Sequence, residues 1–447
     1  MEHSRTARDF LKNLLVIGPN AWDELELTCP RVSERNRVVF LKDPALEAPA
    51  NPRLLDLLLG EKDLERLLKR HLDRLSVSWF DGVIGTDEYL ACAGAAILSR
   101  EWGLPGSSPR SILLCQHKYY SRVAQKQAVP EHVPGFTWID PFRLREEDLT
   151  IGFPMFVKPV RASFSIFARR VESFAHLPRM IDVPLAHRLF ARRLMEPFNR
   201  LLRRYADFER DANYLIGEQI LEGQLVTAEA LVAGGKVEIV GITDSEMFPG
   251  TMSFRRFWYP SRLPQDVQQR MAIIVERLVP ALGLDWTLFN VELFYDASKD
   301  HIGILEINPR MAYQFADLYQ KVEGFNSYDL QIALALGEKP AIPRRQGRHQ
   351  VACSFVLRKF EDALLVRFPS EQQVARVRDM FPDARIRFYG KEGHRLSEEI
   401  GVESWRYALV NLGGDSREDL EQKFARAGSL LPFQFEPVAR AAHKLTV

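Results

Sequence analysis

At 447 residues the chain is too long for one hydrophobic core, and roughly two to four domains are expected. Hydrophobic content of 46% with 27% charged residues is ordinary for a globular protein, and 60 basic against 59 acidic residues (net +1) points to neither a nucleic-acid nor a membrane partner. Four widely spaced cysteines (Cys29, Cys92, Cys115, Cys353) without a Cys-x-x-Cys pair read as reduced core residues, and with no apolar run of ~18 residues and no basic-then-apolar leader at Met1–Asp9 a cytoplasmic location is expected.

Leu14-Leu15-Val16-Ile17-Gly18 and Arg37-Val38-Val39-Phe40-Leu41 are short apolar runs of the kind that make buried parallel strands. Leu64, Leu67, Leu68, Leu72 and Leu75 recur at helical spacing, and Gly82-Val83-Ile84-Gly85 is a third strand. Thr86 is placed to cap a helix running to Glu101. Strand alternating with helix argues a small α/β layer. Gly18-Pro19-Asn20 is not a Gly-x-Gly-x-x-Gly fingerprint, so no dinucleotide site is expected there.

From Ser111 a helix carries Gln116-His117-Lys118-Tyr119-Tyr120-Ser121-Arg122. Gly152-Phe153-Pro154-Met155-Phe156-Val157-Lys158 reads as a strand ending in a lysine that should snorkel to water unless an anion holds it. Residues 185–210 are helical and rich in arginine over an apolar face, which suits a solvated amphipathic helix. Tyr214 to Gly223 is an apolar strand broken by Glu218, and Val226–Val232 turns through Gly234-Gly235 into Val237–Ile242 as a hairpin. In the stretch 244–264, Arg255, Arg256 and Arg262 stand beside Phe257, Trp258 and Tyr259. They suit either an aromatic pocket for a carboxylate-bearing substrate or a loop packed on a sheet. A helix from Gln265 to Leu282 then repeats Val267, Met271, Ile274, Val275 and Leu278 on one face.

Asn290-Val291-Glu292-Leu293-Phe294-Tyr295-Asp296 and Gly303-Ile304-Leu305-Glu306-Ile307-Asn308-Pro309-Arg310 both alternate, and a polar turn separates them. With the turn centred near Lys299, Glu292 falls opposite Glu306 and Asn290 opposite Asn308. Glu292, Glu306 and Asn308 then share one face, and Val291, Leu293, Leu305 and Ile307 pack behind. Like charges directly opposite disfavour a pairing by roughly 0.2–1 kcal/mol. A hard cation between them reverses that sign, and a Glu/Glu/Asn oxygen set suits Mg²⁺ better than zinc.

The run from Leu284 to Glu338, with its Glu-x-Asn-x-Arg close at Glu306–Arg310, resembles the metal-binding core of the ATP-grasp superfamily and its carboxylate–amine ligases. The resemblance implies that Glu292, Glu306 and Asn308 hold Mg²⁺, with Mn²⁺ as an alternative, and that Arg310 faces the transferred phosphate. It makes Lys118 and Lys158 phosphate-binding lysines, although His117 stands where the family usually has a carboxylate. Glu218, Gln219, Ile220 and Leu221 would be the interlobe hinge that reads adenine, Glu218 through its carboxylate. After Lys158 the family has a glycine-rich flap; here Val160-Arg161-Ala162-Ser163-Phe164-Ser165-Ile166-Phe167-Ala168 contains no glycine, leaving Ser163, Ser165 and Arg161 as phosphate donors. Arg255, Arg256 and Arg262 would line the acceptor pocket.

Beyond the linker Pro340–Gly347, strands at Val351–Leu357, Leu364–Phe368, Arg385–Tyr389 and Trp405–Leu412 and a helix near Glu418 suggest a small antiparallel sheet with helices. The expected fold is thus α/β (α+β) of ATP-grasp type. A Rossmann-like domain occupies residues 1–112, the ATP-grasp domain 113–342 with its lid lobe at about 150–222, and a C-terminal subdomain 343–447. The expected function is ATP-dependent activation of a carboxylate as an acyl phosphate for attack by an amine or thiol, with ATP and Mg²⁺ as cofactors, small-molecule substrates, and a homodimer left open. Two alternatives stand beside it. One is bicarbonate activation of biotin-carboxylase type, disfavoured because Met311-Ala312-Tyr313-Gln314 lacks the acid found there; the other is a non-catalytic nucleotide-binding protein.

Overall fold

Strands buried on both faces pair in parallel, and the N-terminal layer does so. β1 (Lys12–Ile17) lies between β2 (Asn36–Leu41) and β3 (Gly82–Gly85), both parallel to it. Leu14, Leu15, Val16 and Ile17 are fully buried there. The computed structural model describes residues 11–46, 63–75, 79–161, 168–178, 185–398 and 403–438. The helix expected near 63–75 spans Leu64–Leu72, with Asp63 accepting from the Arg66 N–H as its cap. Thr86 does not cap a helix. The next one begins at Ala91, and the Thr86 hydroxyl donates to the buried Asp23 carboxylate at 2.5 Å, tying β3 to the helix Ala21–Leu27.

The helix expected from Ser111 is two helices, Pro109–Gln116 and Lys118–Ala128, hinged at His117. His117 has an extended backbone, and its imidazole Nδ1 accepts from the Tyr120 N–H at 3.5 Å. This is the N-cap task that a carboxylate performs elsewhere. Burial pushes its pKa down to about 4, so the ring is neutral and able to accept.

A four-stranded antiparallel sheet follows, made of β4 (Phe136–Ile139), β5 (Met155–Pro159), β6 (Arg169–Val171) and β7 (Leu215–Gln219) in the order β4-β7-β5-β6. The arginine-rich helix, Leu185–Tyr205, turns Phe198, Leu201 and Leu202 inward and keeps Arg200, Arg203 and Arg204 solvated.

The largest sheet has eight strands, all antiparallel to their neighbours. It uses β8 (Gln224–Ala233), β9 (Lys236–Met247), β10 (Phe254–Tyr259), β11 (Thr287–Asp296), β12 (His301–Asn308) and β13 (Val351–Lys359). After β14 (Ala363–Arg367) come β15 (Arg385–Phe388), β16 (His394–Arg395), β17 (Trp405–Gly414) and β18 (Gln434–Pro437). The order is β12-β11-β8-β9-β10-β13-β17-β15, while β16-β14-β18 form a separate small sheet. Three strands beyond residue 343 therefore extend the central sheet, where a sheet of their own was expected. β10 would otherwise present an open edge, and β13 closes it from Arg256↔Phe355 to Tyr259↔Ala352. The β8–β9 hairpin turns on Gly234 and Gly235, both at positive φ (59° and 74°), as a two-residue turn requires.

Candidate functional site

The β11–β12 hairpin has the register that its sequence dictates: Asn290 opposite Asn308, Val291 opposite Ile307 and Glu292 opposite Glu306. One irregularity, between Glu292 and Leu293, shifts the remaining pairs by one residue. The hairpin, β7, the strand end of β5 and the helix Lys118–Ala128 enclose a cavity of about 430 Å³. Lys118, Lys158, Glu218, Gln219, Ile220, Leu221, Glu292, Glu306, Asn308 and Arg310, spread over 193 positions of sequence, all line it.

Lys118 is ion-paired to Glu306. Lys158 is 2.7 Å from one oxygen of Glu218, whose other oxygen takes the Arg122 Nε–H at 2.6 Å. Both Glu218 oxygens are thus occupied by cations. Its carboxylate holds Lys158 and Arg122 in place. Burial acts to raise the Glu218 pKa, but Arg122 and Lys158 overcome it and hold it near 2. Arg122 extends the clamp, donating to the Ile304 and Leu305 carbonyls of β12 and to the Gln125 side chain, each at 2.7 Å.

The two hairpin carboxylates differ. Burial and the Glu306 charge push Glu292 up, whereas Lys118 and Lys158 hold Glu306 below the usual carboxylate range against its own burial. The Asn308 amide nitrogen donates to Asn290 Oδ1 at 3.0 Å and to Glu292 at 3.3 Å, which sets the amide beside the Glu292 carboxylate. Two carboxylates and an amide oxygen in register are the donor set of a hard divalent cation, and these residues fit one. Among the described residues no cluster of three or more His, Cys, Asp or Glu gathers elsewhere as a rival metal site.

Arg310 leaves the hairpin beside this face, 3.5 Å from Glu88 and donating to the Met311 carbonyl. Glu88 also receives Arg161 at 3.0 Å, and Arg161 donates to the Glu88 and Tyr89 carbonyls as well. Arg161 is therefore a buried strut between the lid strand and the N-terminal layer, where a phosphate donor was expected. Ser163 and Ser165 lie outside the described residues. Asp87, Glu88, Arg122 and Tyr313 also line the cavity and were not picked out from sequence. A Lys-x-x-x-Arg spacing, which sets Lys118 and Arg122 on one helix face, was the available signal for Arg122.

Arg255, Arg256 and Arg262 do not line this cavity. Arg255 and Arg256 pair with Glu246, Arg256 also with Glu421, and Arg262 approaches Glu418. Trp258 and Tyr259 are buried in the sheet. The three arginines are thus engaged with acids of the protein, while Met247, Met252 and Phe254 of the same stretch line the cavity. A larger groove of about 880 Å³ lies between Trp22 and β15, but its acids Asp317 and Asp383 both pair with Lys321, and Asp383 lies 2.9 Å from His349.

Residues 151–318 match the family model described as ATP-grasp domain. An uncharacterized protein, y4rH, of Sinorhizobium fredii (strain NBRC 101917 / NGR234) is 28% identical over 322 residues, which are 69% of this chain and 61% of that relative. The match thus spans about three fifths of the relative's length. The fold is similar to an L-amino acid ligase from Bacillus licheniformis, with a TM-score of 0.68, 17% identity, and 95% of this chain and 99% of that one covered. It is also similar to the biotin carboxylase domain dimer of a Hydrogenobacter thermophilus 2-oxoglutarate carboxylase, solved with MgADP, ADP and bicarbonate. That match has a TM-score of 0.61 and 16% identity, and covers 95% of this chain and 91% of that one.

Proposed function

Because residues 151–318 match the ATP-grasp domain model, we propose that the chain is an ATP- and Mg²⁺-dependent ligase joining a carboxylate to an amine. The observation that carries this reading is the half-buried Glu292–Glu306 pair, in register with Asn308 and ringed by Lys118, Lys158 and Arg310.

An amine does not displace oxide from a carboxylate, because the leaving group is too poor. Transfer of the terminal phosphoryl group of ATP to a carboxylate oxygen gives ADP and an acyl phosphate. The amine then attacks the acyl carbon, the C–O bond to phosphate breaks, and phosphate departs with the electron pair while the amine sheds a proton. Little covalent work falls to the protein, so catalysis is positioning and charge neutralisation. Lys118 and Lys158 meet the nucleotide phosphates, the lysines being held in place by Glu306 and Glu218. Arg310, oriented by Glu88 and the Met311 carbonyl, presents its planar fork to the transferred phosphate. Gln219, Ile220 and Leu221 flank the adenine, and Ser163 and Ser165 donate to phosphate. Glu292, Glu306 and Asn308 hold Mg²⁺, which supplies charge neutralisation between phosphate oxygens when bound.

Incubation with MgATP and pooled amino acids and short acids tests the proposal, with ADP and ligated product read together. Product formation in the wild type and its loss in a folded Glu306→Gln variant, which halves the carboxylate charge on the metal, is the expected result. Absence of ADP release with every pool, together with no rise in melting temperature on adding MgATP, would overturn it.

A further inference from the structure

The central sheet contains a second like-charge pair. β13 and β17 set Arg358 directly opposite Arg406. The ladder passes from Leu357↔Ala408 to Arg358↔Arg406 and skips Tyr407, whose ring turns to Phe433 and Phe435. That bulge brings Arg406 onto the face shared by Ser354, Val356 and Arg358. The same face packs against the Tyr313–Phe315 turn, where Ser354 accepts from the Gln314 side chain at 3.0 Å and Val356 shares a cluster with Tyr313 and Tyr389.

Like charges directly opposite destabilise a ladder, and natural sheets place opposite charges or apolar pairs there. Neither arginine has a carboxylate partner among the described residues. Arg358 gives Nε–H to the Phe254 carbonyl at 3.0 Å and Nη1–H to the Ser404 hydroxyl at 3.2 Å. The Arg406 guanidinium lies 3.9 Å from the centroid of the Tyr389 ring. Burial, with the Arg406 charge added, pulls the Arg358 pKa down to about 10. The partners of the pair are thus a carbonyl, a hydroxyl and an aromatic ring.

Neither arginine lines the cavity already described, but the residue that Arg358 is bonded to does. Phe254, whose carbonyl takes Arg358, lines the cavity together with Met252 and Tyr313. Tyr313 is raised by burial, and the cations pulling it back are Arg406 and then Arg310. Tyr313 therefore lies within electrostatic reach of both Arg310 and Arg406.

We propose that Arg358 and Arg406 form a carboxylate-binding pole beside the cavity, which holds a carboxylate of the substrate that does not react. The substrate class is then an α-amino acid serving as amine, or a dicarboxylic acid serving as donor. The chemical role rests on the ligase reading above; the binding of the anion does not. A carboxylate between the two planar forks would turn a destabilising cross-strand pair into a stabilising one, as a cation does for Glu292 and Glu306.

The test uses the full chain and four probes: L-alanine and L-alaninamide, succinate and succinamide. Binding is measured by calorimetry, and melting temperature is followed with and without MgATP. At least one of L-alanine and succinate should bind the wild type while its amide does not; the one that binds tells amino acid from dicarboxylate. Arg406→Gln and Arg358→Gln should each weaken that binding at least tenfold, with partial recovery in Arg358→Lys. Without anion, Arg406→Gln should melt no lower than the wild type, because it relieves the repulsion. Failure of both carboxylates to bind, or equal binding to both Gln variants, overturns the pole. The ligase reading fails separately, through a wild type whose melting temperature ignores MgATP.

Discussion

Glu218→Gln tests whether the buried carboxylate is a clamp for cations or a reader of adenine. Glu218 is 3% exposed and sits between Lys158 and Arg122 at 2.7 and 2.6 Å. Removing one partner of a buried ion pair leaves uncompensated charge and costs about 3–5 kcal/mol. Linkage gives an independent figure: a carboxyl held near 2 against an ordinary 4.5 corresponds to about 3 kcal/mol. Since the folded value lies below the ordinary one, that stability is fully present above pH 4.5 and is lost as pH falls toward 2. The variant should therefore lose about 3 kcal/mol at pH 7 by urea denaturation, and should show less additional loss than the wild type between pH 4.5 and 3. Adding Lys158→Met should recover part of the loss, because Arg122 still has the Ile304 and Leu305 carbonyls as acceptors. Preference for ATP over GTP, measured by calorimetry, should be unchanged in the single variant. A stability loss below about 1 kcal/mol, or a collapse of nucleotide preference in a stable protein, would refute the clamp.

Arg310→Lys should keep nucleotide binding but lower turnover at least tenfold, since an ammonium cannot reproduce a bidentate fork on phosphate; unchanged turnover would make Arg310 a structural charge. His117 is buried with its pKa pushed down to about 4, so its share of stability is present above the ordinary 6.5 and drains as pH falls toward 4. His117→Leu should flatten the fall in urea midpoint between pH 7 and pH 5, after an offset of about 1 kcal/mol for the lost cap. Parallel profiles for variant and wild type would show that His117 does not titrate with folding.

The face shared by Glu292, Glu306 and Asn308 was legible because a hairpin fixes its own register. Two alternating runs and one short turn leave a single set of partners, and a slip of one residue would bury Glu292 behind the sheet. Lys118 and Lys158 could be assigned only through the order of motifs, since nothing local distinguishes either from a solvated lysine. What escaped was pairing between distant segments. Arg122 meets Glu218 across 96 positions and Arg161 meets Glu88 across 73, and no periodicity encodes either contact. The same blindness produced the errors. Arg255, Arg256 and Arg262 read as a substrate pocket because Glu246, Glu418 and Glu421, which neutralise them, lie on other elements. The C-terminal strands were assigned to the right residues but the wrong sheet, for strand propensity does not name the neighbour.

The distribution of donors sorts the cavity's cations into two kinds. Arg122 makes four hydrogen bonds, to Glu218, Gln125, Ile304 and Leu305. Arg161 makes three, to the Glu88 side chain and to the carbonyls of Glu88 and Tyr89. Side chains so fully engaged with protein can position but not follow a substrate. Arg122 joins the lid sheet to the metal hairpin, and Arg161 joins the lid strand to the N-terminal layer. Lys158 differs: its ammonium has three donors, and Glu218 takes one. Arg310 is held more loosely still, at 3.5 Å from Glu88. The carboxylates make this arrangement stable before any phosphate arrives, because that many cations around one cavity would otherwise repel one another. They also fix where each cation points. In the proposed reaction an entering polyphosphate would meet charges already oriented, with the reorganisation that slows phosphoryl transfer completed by folding.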